Sequence, residues 1–315
     1  MGTGATDRLA GVKWTGDGVQ CDFAKPPRMT KTKSERPIRN ATERLLDALL
    51  LKGRVARISY RLGGLGRLRV TRQTVVAAQG ASLPRPLRVG FASDFHAGPT
   101  TDPALFDDLR AAIEQERPDL LLLGGDYVSF DASHIEAMRG FLQAARAPLG
   151  TYAVIGNHDI WNGRAPVEAA LRAAGIEVLV NRNVTLPAPF DMVSLCAIDD
   201  PWTGAPSVEA AFAGTEGAAL RIFLTHSPDG VVLLKGQRYD VAFAGHTHGG
   251  QIAAPDGRPL FHPSGPGSRE YSYGRYEIPG AGPLVVSRGV GCSGIPLRLN
   301  ADPELVICTL GAPVA

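Results

Sequence analysis

An α/β fold with two sheets packed face to face and helices outside is the architecture this chain predicts. The first reason is rhythm. From Pro86 onward short apolar runs alternate with helical patterns, and after Gly175 the signal turns to strands. The second reason is position, because five acid and histidine clusters each follow such a run. Asp94-x-His96 follows Val89–Ala92, Gly125-Asp126 follows Leu120–Leu123, and Gly156-Asn157-His158-Asp159 follows Tyr152–Ile155. His226 follows Ile222–Leu224, and Gly245-His246-Thr247-His248-Gly249-Gly250-Gln251 follows Val241–Ala244. Buried parallel strands read as such runs, and open α/β sheets place ligands at the carboxyl ends of their strands. A metal site at one edge of a sheet is the direct reading.

Taken in order, residues 1–40 are polar and without period, so disorder is expected there. Met29 opens a better-patterned stretch and is a second candidate start. Residues 41–62 place Ala41, Leu45, Ala48 and Leu49 at helical spacing among basic residues, with Gly53 weakening a continuous helix. An amphipathic helix on anionic lipid and a helix packed on the following domain are the two readings of that pattern. The expected organisation is a basic leader over 1–85 and one catalytic domain over 86–315.

Within the domain, Asp102-Pro103 starts a helix whose apolar face (Leu105, Phe106, Leu109, Ile113) runs to the stop at Pro118. Further helices are expected over Ile135–Ala145 and Pro166–Ala174, the latter closed by Gly175. Strands are expected at Ile176–Val180, Met192–Ile198, Leu220–Leu224, Val241–Ala244, Leu284–Ser287 and Leu305–Leu310. The Gly- and Pro-rich stretch 249–283 carries Arg269, Tyr271, Tyr273, Arg275 and Tyr276, and a loop of that length in a compact domain is usually functional.

Composition narrows the class. The 44% hydrophobic and 20% charged content is that of a soluble protein, and no apolar run nears the roughly 20 residues of a membrane span. No apolar segment of a signal peptide opens the chain, so a cytoplasmic protein is expected, peripheral at the inner membrane face if the leader binds lipid. Cys21, Cys196, Cys292 and Cys308 lie far apart, which predicts reduced thiols and no structural zinc. Residues 1–88 hold 18 Lys and Arg against 6 Asp and Glu, and the remainder 15 against 25. A basic leader on an acidic domain suits an anionic surface as partner and disfavours a long nucleic-acid groove in the domain itself.

Two adjacent divalent cations need several oxygen or nitrogen ligands and one group that bridges them. Asp126 is the natural bridge, on a short stem after Gly124-Gly125. Asp94 and His96, and likewise His246 and His248, are two apart and can project to one side of an extended strand end. Asn157 offers a carbonyl oxygen and His226 an imidazole. This mixture suits Mn²⁺, Fe or Zn²⁺ over Ca²⁺ or Mg²⁺ alone. Such a pair lowers the pKa of a bridging water and clamps both oxygens of an in-line displacement. With only two carboxylates among the ligands the centre stays electropositive and attracts phosphate. His158 is then placed to donate to the leaving oxygen, with Asp159 orienting its ring. His134 and His262 fall outside the ordered set and are expected on the surface or in loops.

These residues resemble the calcineurin-like metallophosphoesterase superfamily, whose pattern is D-x-H, G-D, G-N-H-(D/E), H and G-H-x-H. The likeness covers roughly residues 87–310 and implies a four-layer α/β/β/α sandwich of two mixed sheets flanked by helices. It implies one metal held by Asp94, His96, Asp126 and His248, the other by Asp126, Asn157, His226 and His246, and a catalytic His158. Many members read G-D-x-x-D, whereas Gly125-Asp126-Tyr127-Val128 stands here, which touches subgroup and not the ligand set. That run, together with Ser287-Arg288-Gly289-Val290-Gly291 and Gly294-Ile295-Pro296-Leu297-Arg298, is similar to a bacterial branch of small phosphodiesterases. Some relatives of that branch cleave the pyrophosphate of UDP-diacylglucosamine, and some are membrane-associated.

The expected activity is therefore two-metal hydrolysis of a phosphodiester or pyrophosphate bond by a metal-bridging hydroxide. Its substrate would be a small phosphate ester, nucleotide-like or lipid-linked. A phosphomonoesterase or protein phosphatase is the alternative among enzymes. A non-catalytic scaffold of the same fold would have lost His158 or several ligands, and all are present.

Overall fold

The computed structural model describes residues 43, 45–76, 83–263 and 265–311, together with the backbone of 12–15 and 18–21. Those last two segments form an antiparallel hairpin, β1 (Val12–Thr15) and β2 (Gly18–Cys21), where disorder was expected. Val12, Trp14 and Val19 are strand formers on either side of Gly16-Asp17, a local hairpin signal that the polar composition of the stretch hides. The rest of 1–40, including Met29, lies outside the described residues.

The amphipathic segment is helical in two pieces. Residues 45–49 form one, and α1 (Arg54–Arg61) forms the other. Between them Leu51, Lys52 and Gly53 take φ of 51°, 51° and 86°, so the glycine turns the chain as expected. Next comes β3 (Arg69–Val75), which pairs in parallel with the last strand over its full length. A boundary at 85/86 therefore does not separate leader from domain, because β3 is an edge strand of the domain's own sheet.

From β4 (Leu87–Ala92) the expected alternation appears. The α2 helix (Ala104–Glu116) begins where the Asp102 carboxylate accepts the Ala104 amide, buries Leu105, Phe106, Leu109 and Ile113, and stops before Pro118. After β5 (Leu120–Leu123), the segment 132–138 is a 3₁₀ turn, and α3 covers only Arg139–Ala144. Strand β6 (Thr151–Ala153) leads straight into α4 (Asn157–Ala173), which starts well before the expected Pro166. Gly163, at φ 130°, bends α4 so that Pro166 opens its second part. Then follow β7 (Glu177–Val178), β8 (Arg182–Thr185), β9 (Val193–Ala197), α5 (Val208–Phe212) and β10 (Leu220–Leu224). The chain continues through α6 (Asp229–Leu233), β11 (Val241–Ala244), α7 (Pro266–Glu270), β12 (Gly274–Tyr276), β13 (Leu284–Val286) and β14 (Glu304–Leu310).

Two mixed six-stranded sheets result, ordered β3-β14-β4-β5-β6-β7 and β12-β13-β11-β10-β9-β8. In the first, β4 to β7 run parallel and β14 pairs antiparallel to β4. In the second, β9, β10, β11 and β13 run parallel between antiparallel edges. Their inner faces meet in one apolar layer that includes Val89, Leu122, Leu195, Ile222 and Val306. Phe91 and Phe243 join the two sheets there, rings 5.4 Å apart, which adds about 1 kcal/mol to the area they bury. Helices α2, α3 and α4 cover the first sheet, while α5 and the loops around Tyr239 and Tyr271 cover the second. This is the expected four-layer α/β/β/α sandwich. The expected free thiols are found at Cys196, Cys292 and Cys308, all buried.

One polar knot ties the entrance of the first sheet. Asp119 accepts both guanidinium nitrogens of Arg85 at 2.8 Å and the Arg88 amide at 2.9 Å. Burial pushes its carboxyl up, but the Arg85 fork and the Arg88 amide outweigh that and hold its pKa below the ordinary value. A lowered folded-state pKa contributes stability that is present above the unfolded value and lost as pH falls through the folded one. Asp119→Asn is expected to lower the unfolding midpoint by about 1–2 °C at neutral pH, with the gap to wild type closing below about pH 4. Thermal scans of both proteins across that range check it.

Candidate metal centre

The carboxyl ends of β4, β5, β10 and β11, with the start of α4 after β6, converge on one point between the sheets. All seven expected ligands meet there, and all but His246 are almost wholly buried. Asp94, His96 and His248 form one group of mutually close ligand atoms, Asp126, His226 and His246 form another, and His96, Asp126 and His158 make a third between them. In the first group His96 Nε2 and His248 Nε2 stand 2.9 Å apart, with Asp94 Oδ1 3.5 Å from His248 Nε2. In the second, His226 Nε2 lies 3.2 Å from His246 Nδ1 and 3.0 Å from Asn157 Oδ1. Asp126 Oδ2 is 3.6 Å from His96 and 3.4 Å from His226, between the groups. Its carboxylate thus faces a histidine of each group.

The donor set fits divalent cations. His226 Nδ1 donates to the Gly124 carbonyl at 2.7 Å, which turns its Nε2 inward toward Asn157 and Asp126. Two imidazole nitrogens facing each other at 2.9 Å cannot both be bare or both protonated without repulsion, and a shared cation relieves this. Burial, then neighbouring charge, keeps His96, His246 and His248 neutral, whereas at His226 the carboxylates of Asp126, Asp200 and Asp94 outweigh burial and hold the pKa well above the usual range. His96 is held well below its usual range by burial and by His158, His248 by burial and by His96. His246 is pushed down to about 3 by burial and His226. Burial opposes charge on Asp126 as well, yet His226 and His158 beside it hold its carboxyl well below the usual carboxylate range. A metal requires neutral imidazoles, so a bound cation would take the place of the proton that Asp126 draws onto His226.

Close packing imposes unusual backbone. Asp94, His96, Asp126, His246 and His248 have φ of 55°, 45°, 54°, 71° and 53°, the left-handed region that side chains rarely occupy. Local hydrogen bonds hold these turns. Asp94 accepts Ser93 Oγ at 2.6 Å and the His246 amide at 3.0 Å, while Asp126 accepts the His158 amide at 2.8 Å. Glycine is needed beside them, because a Cβ at Gly156 would collide with the Asp126 carboxylate and one at Gly245 with that of Asp94.

His158 stands at the mouth of this cluster, half-buried, its ring 4.7 Å edge-on from His96 and 5.0 Å from Trp161. The role expected for Asp159 is corrected by the structure. Its carboxylate is fully buried and accepts the amides of Tyr127 (2.8 Å), Val128 (3.2 Å) and Gly156 (2.9 Å). Asp159 therefore caps α4 and locks the turn after Asp126 to it, positioning ligands instead of steering the His158 ring. Adjacent residues on a helix diverge, so the carboxylate that faces the β5 turn cannot serve the neighbouring imidazole equally.

Comparison with known proteins agrees with this geometry. A family model described as calcineurin-like phosphoesterase matches residues 87–250, the stretch that supplies every ligand. The chain belongs to that family. "Phosphodiesterase YaeI" of Escherichia coli is 32% identical over 229 residues, covering 71% of this chain and 82% of the relative. "Uncharacterized metallophosphoesterase YkuE" of Bacillus subtilis is 31% identical over 225 residues, covering 69% and 77%.

In this calcineurin-like phosphoesterase, several site residues escape the motif pattern. Asp200 is fully buried, and burial pushes its carboxyl up to about 6. One of its oxygens accepts the Thr203 hydroxyl at 2.7 Å, and the field of His226 reaches it. The signal was available: Asp199-Asp200-Pro201-Trp202 follows the strand at Met192–Ile198 as the other clusters follow theirs. Arg298, quoted only as part of a run, is buried with Nη2 3.2 Å from His248 Nδ1 and further bonds to the carbonyls of Arg288, Gly291 and Ala301. It fixes the ring of that ligand from behind. Trp202 lies tilted against His246, ring centroids 5.4 Å apart. A cleft of about 430 Å³ opens over the centre between Trp161 and Trp202, walled by Ile252, Phe261 and Ile295. His262, expected outside the site, is exposed in its loop and also lines this cleft. His134 stays apart, bonded to the Ser129 carbonyl at 2.7 Å. A separate depression of about 560 Å³ between Arg172 and Arg182 carries no histidine, and both arginines are paired, with Glu168 and Glu177.

Proposed function

We propose that this protein hydrolyses phosphodiester or pyrophosphate bonds with two divalent metal ions, Mn²⁺, Fe or Zn²⁺. The observation that carries the reading is the place of the Asp126 carboxylate between His96 of one group and His226 of the other, with His158 close to it at the open side. Bound metals would acidify a water and neutralise the phosphoryl oxygens. Asp94, His96 and His248 would hold one ion, Asn157, His226 and His246 the other, and Asp126 both. His158 donates a proton to the leaving oxygen, its ring kept in place by Trp161. Trp161 and Trp202 flank the entrance with flat apolar faces and exclude water from the reacting phosphate.

A diester is favoured over a monoester because the cleft walls are aromatic and aliphatic and suit a leaving group with an apolar or stackable body. The name of the Escherichia coli relative agrees with this preference. The test is hydrolysis of bis-p-nitrophenyl phosphate, p-nitrophenyl phosphate and a nucleoside-diphosphate ester by Mn²⁺-loaded protein. Faster turnover of the diester or the pyrophosphate supports the reading. Preference for the monoester replaces it with a phosphomonoesterase, and no turnover of any leaves a scaffold.

A further inference from the structure

The imidazoles of the centre are not all supported from behind in the same way. His226 Nδ1 faces the Gly124 carbonyl, which can only accept, so that ring keeps a hydrogen on its outer nitrogen. Metal-binding histidines are usually held like this, and the support strengthens the ligand. His248 is held in the opposite sense. Its Nδ1 faces Arg298 Nη2 at 3.2 Å, and a guanidinium has hydrogens to give and no lone pair to receive one. The outer nitrogen therefore accepts, and the neutral ring carries its hydrogen on Nε2, the nitrogen turned inward.

The neighbours on the far side agree. His248 Nε2 lies 2.9 Å from His96 Nε2, and His96 Nδ1 lies 2.7 Å from Ser129 Oγ, a hydroxyl that can accept. Hydrogens thus run one way along the row, from Arg298 to His248, from His248 to His96 and from His96 to Ser129. Arg298 is buried, and its remaining N–H bonds are all spent on the carbonyls of Arg288, Gly291 and Ala301. Among the described residues none of its hydrogen bonds reaches a carboxylate. The cradle is rigid as well. The Gly291 amide bonds the Asp94 carbonyl at 2.7 Å, and a Cβ on Gly291 would strike the Phe95 carbonyl.

We propose that Arg298 is a positioning residue that weakens the metal subsite of Asp94, His96 and His248, so that its ion is exchangeable and its occupancy follows the supply of free metal. Two effects act together. An ion can bind His248 Nε2 only after the hydrogen there leaves to water or moves to Nδ1, where it meets Arg298 donor against donor. The buried guanidinium charge also opposes a second cation just beyond the ring. That charge offsets Asp94, the carboxylate this subsite has where the other has the neutral Asn157. The proposal rests on the two-metal reading of the centre.

The test uses the full chain, metal-free and then titrated with buffered free Zn²⁺, with the imidazole nitrogens of labelled histidine followed by NMR. In metal-free wild type, His248 is expected as the Nε2–H tautomer, and His226 with a hydrogen on Nδ1. In Arg298→Met, uncharged and of similar reach, the His248 signals should respond at about tenfold lower free Zn²⁺, while the His226 midpoint stays where it was. An arginine that served only to hold the fold would lose affinity when removed, so a His248 midpoint that stays or rises overturns the proposal. A hydrogen on His248 Nδ1 in metal-free wild type overturns it too, and that measurement needs no variant to fold. Wild type in which Zn²⁺ moves His226 and never His248 overturns the two-metal reading itself, and the proposal with it.

Discussion

Replacing His158 by alanine is expected to lower kcat by about 10²–10⁴-fold while both metals remain bound. The ring stands half-buried at the rim, close to His96 and Asp126, while the seven other ligand side chains lie deeper. It is the His158 amide, not the ring, that reaches Asp126 at 2.8 Å. On the proposed mechanism, loss of the ring removes a proton donor at the mouth of the cleft and spares the seven other ligand side chains. The loss should shrink for esters with good leaving groups, which need no proton, and widen for those with poor ones. Parallel measurements of kcat and of metal content by mass spectrometry decide it. A variant that turns over as wild type does would remove His158 from the chemistry, and one that loses its metals would make it a ligand.

Asp126→Asn should act on everything at once. Its carboxylate lies 3.4 Å from His226 and 3.6 Å from His96, between the two groups, so an amide in its place weakens both ions. Metals supply several kcal/mol of transition-state stabilisation, and losing that is worth about a thousandfold in rate. The metal-free variant should nevertheless fold, because the side chain keeps its shape and a buried charge is removed. Metal addition should raise the unfolding temperature of wild type, through preferential binding to the folded state, and fail to raise that of the variant. Retention of two metals with wild-type turnover would sink the bridging role.

Much of this was legible in the chain because ligands sit immediately beyond strands, and strands of four leucines or of Val-Ala-Phe-Ala announce themselves. Asp94, Asp126 and His246 could be placed by that adjacency alone. Less legible were features that depend on tertiary contact. The β3 strand alternates weakly and is exposed along much of its length, so it reads as leader until β14 pairs with it. The start of α4 was hidden because Gly156, Gly163 and Pro166 all argue against a helix, while Asp159 supplies the cap that overrides them. The role given to Asp159 failed for the same reason. Neighbours in sequence suggest a shared task, but a helix sends them in different directions. Arg298 acts on His248, a partner remote in sequence, and no local pattern points from one to the other.

The left-handed backbone at five of the ligand positions has a consequence for laboratory evolution. Each such residue stores about 1–3 kcal/mol that glycine or asparagine would release. A search for heat-tolerant variants under metal-poor conditions would therefore be drawn to these positions and would harvest stability by dismantling the centre. Selection for turnover pulls the other way at the same residues. The balance between the two pressures is set by how much metal the surroundings supply, so metal availability, as well as temperature, should govern how far such sequences drift.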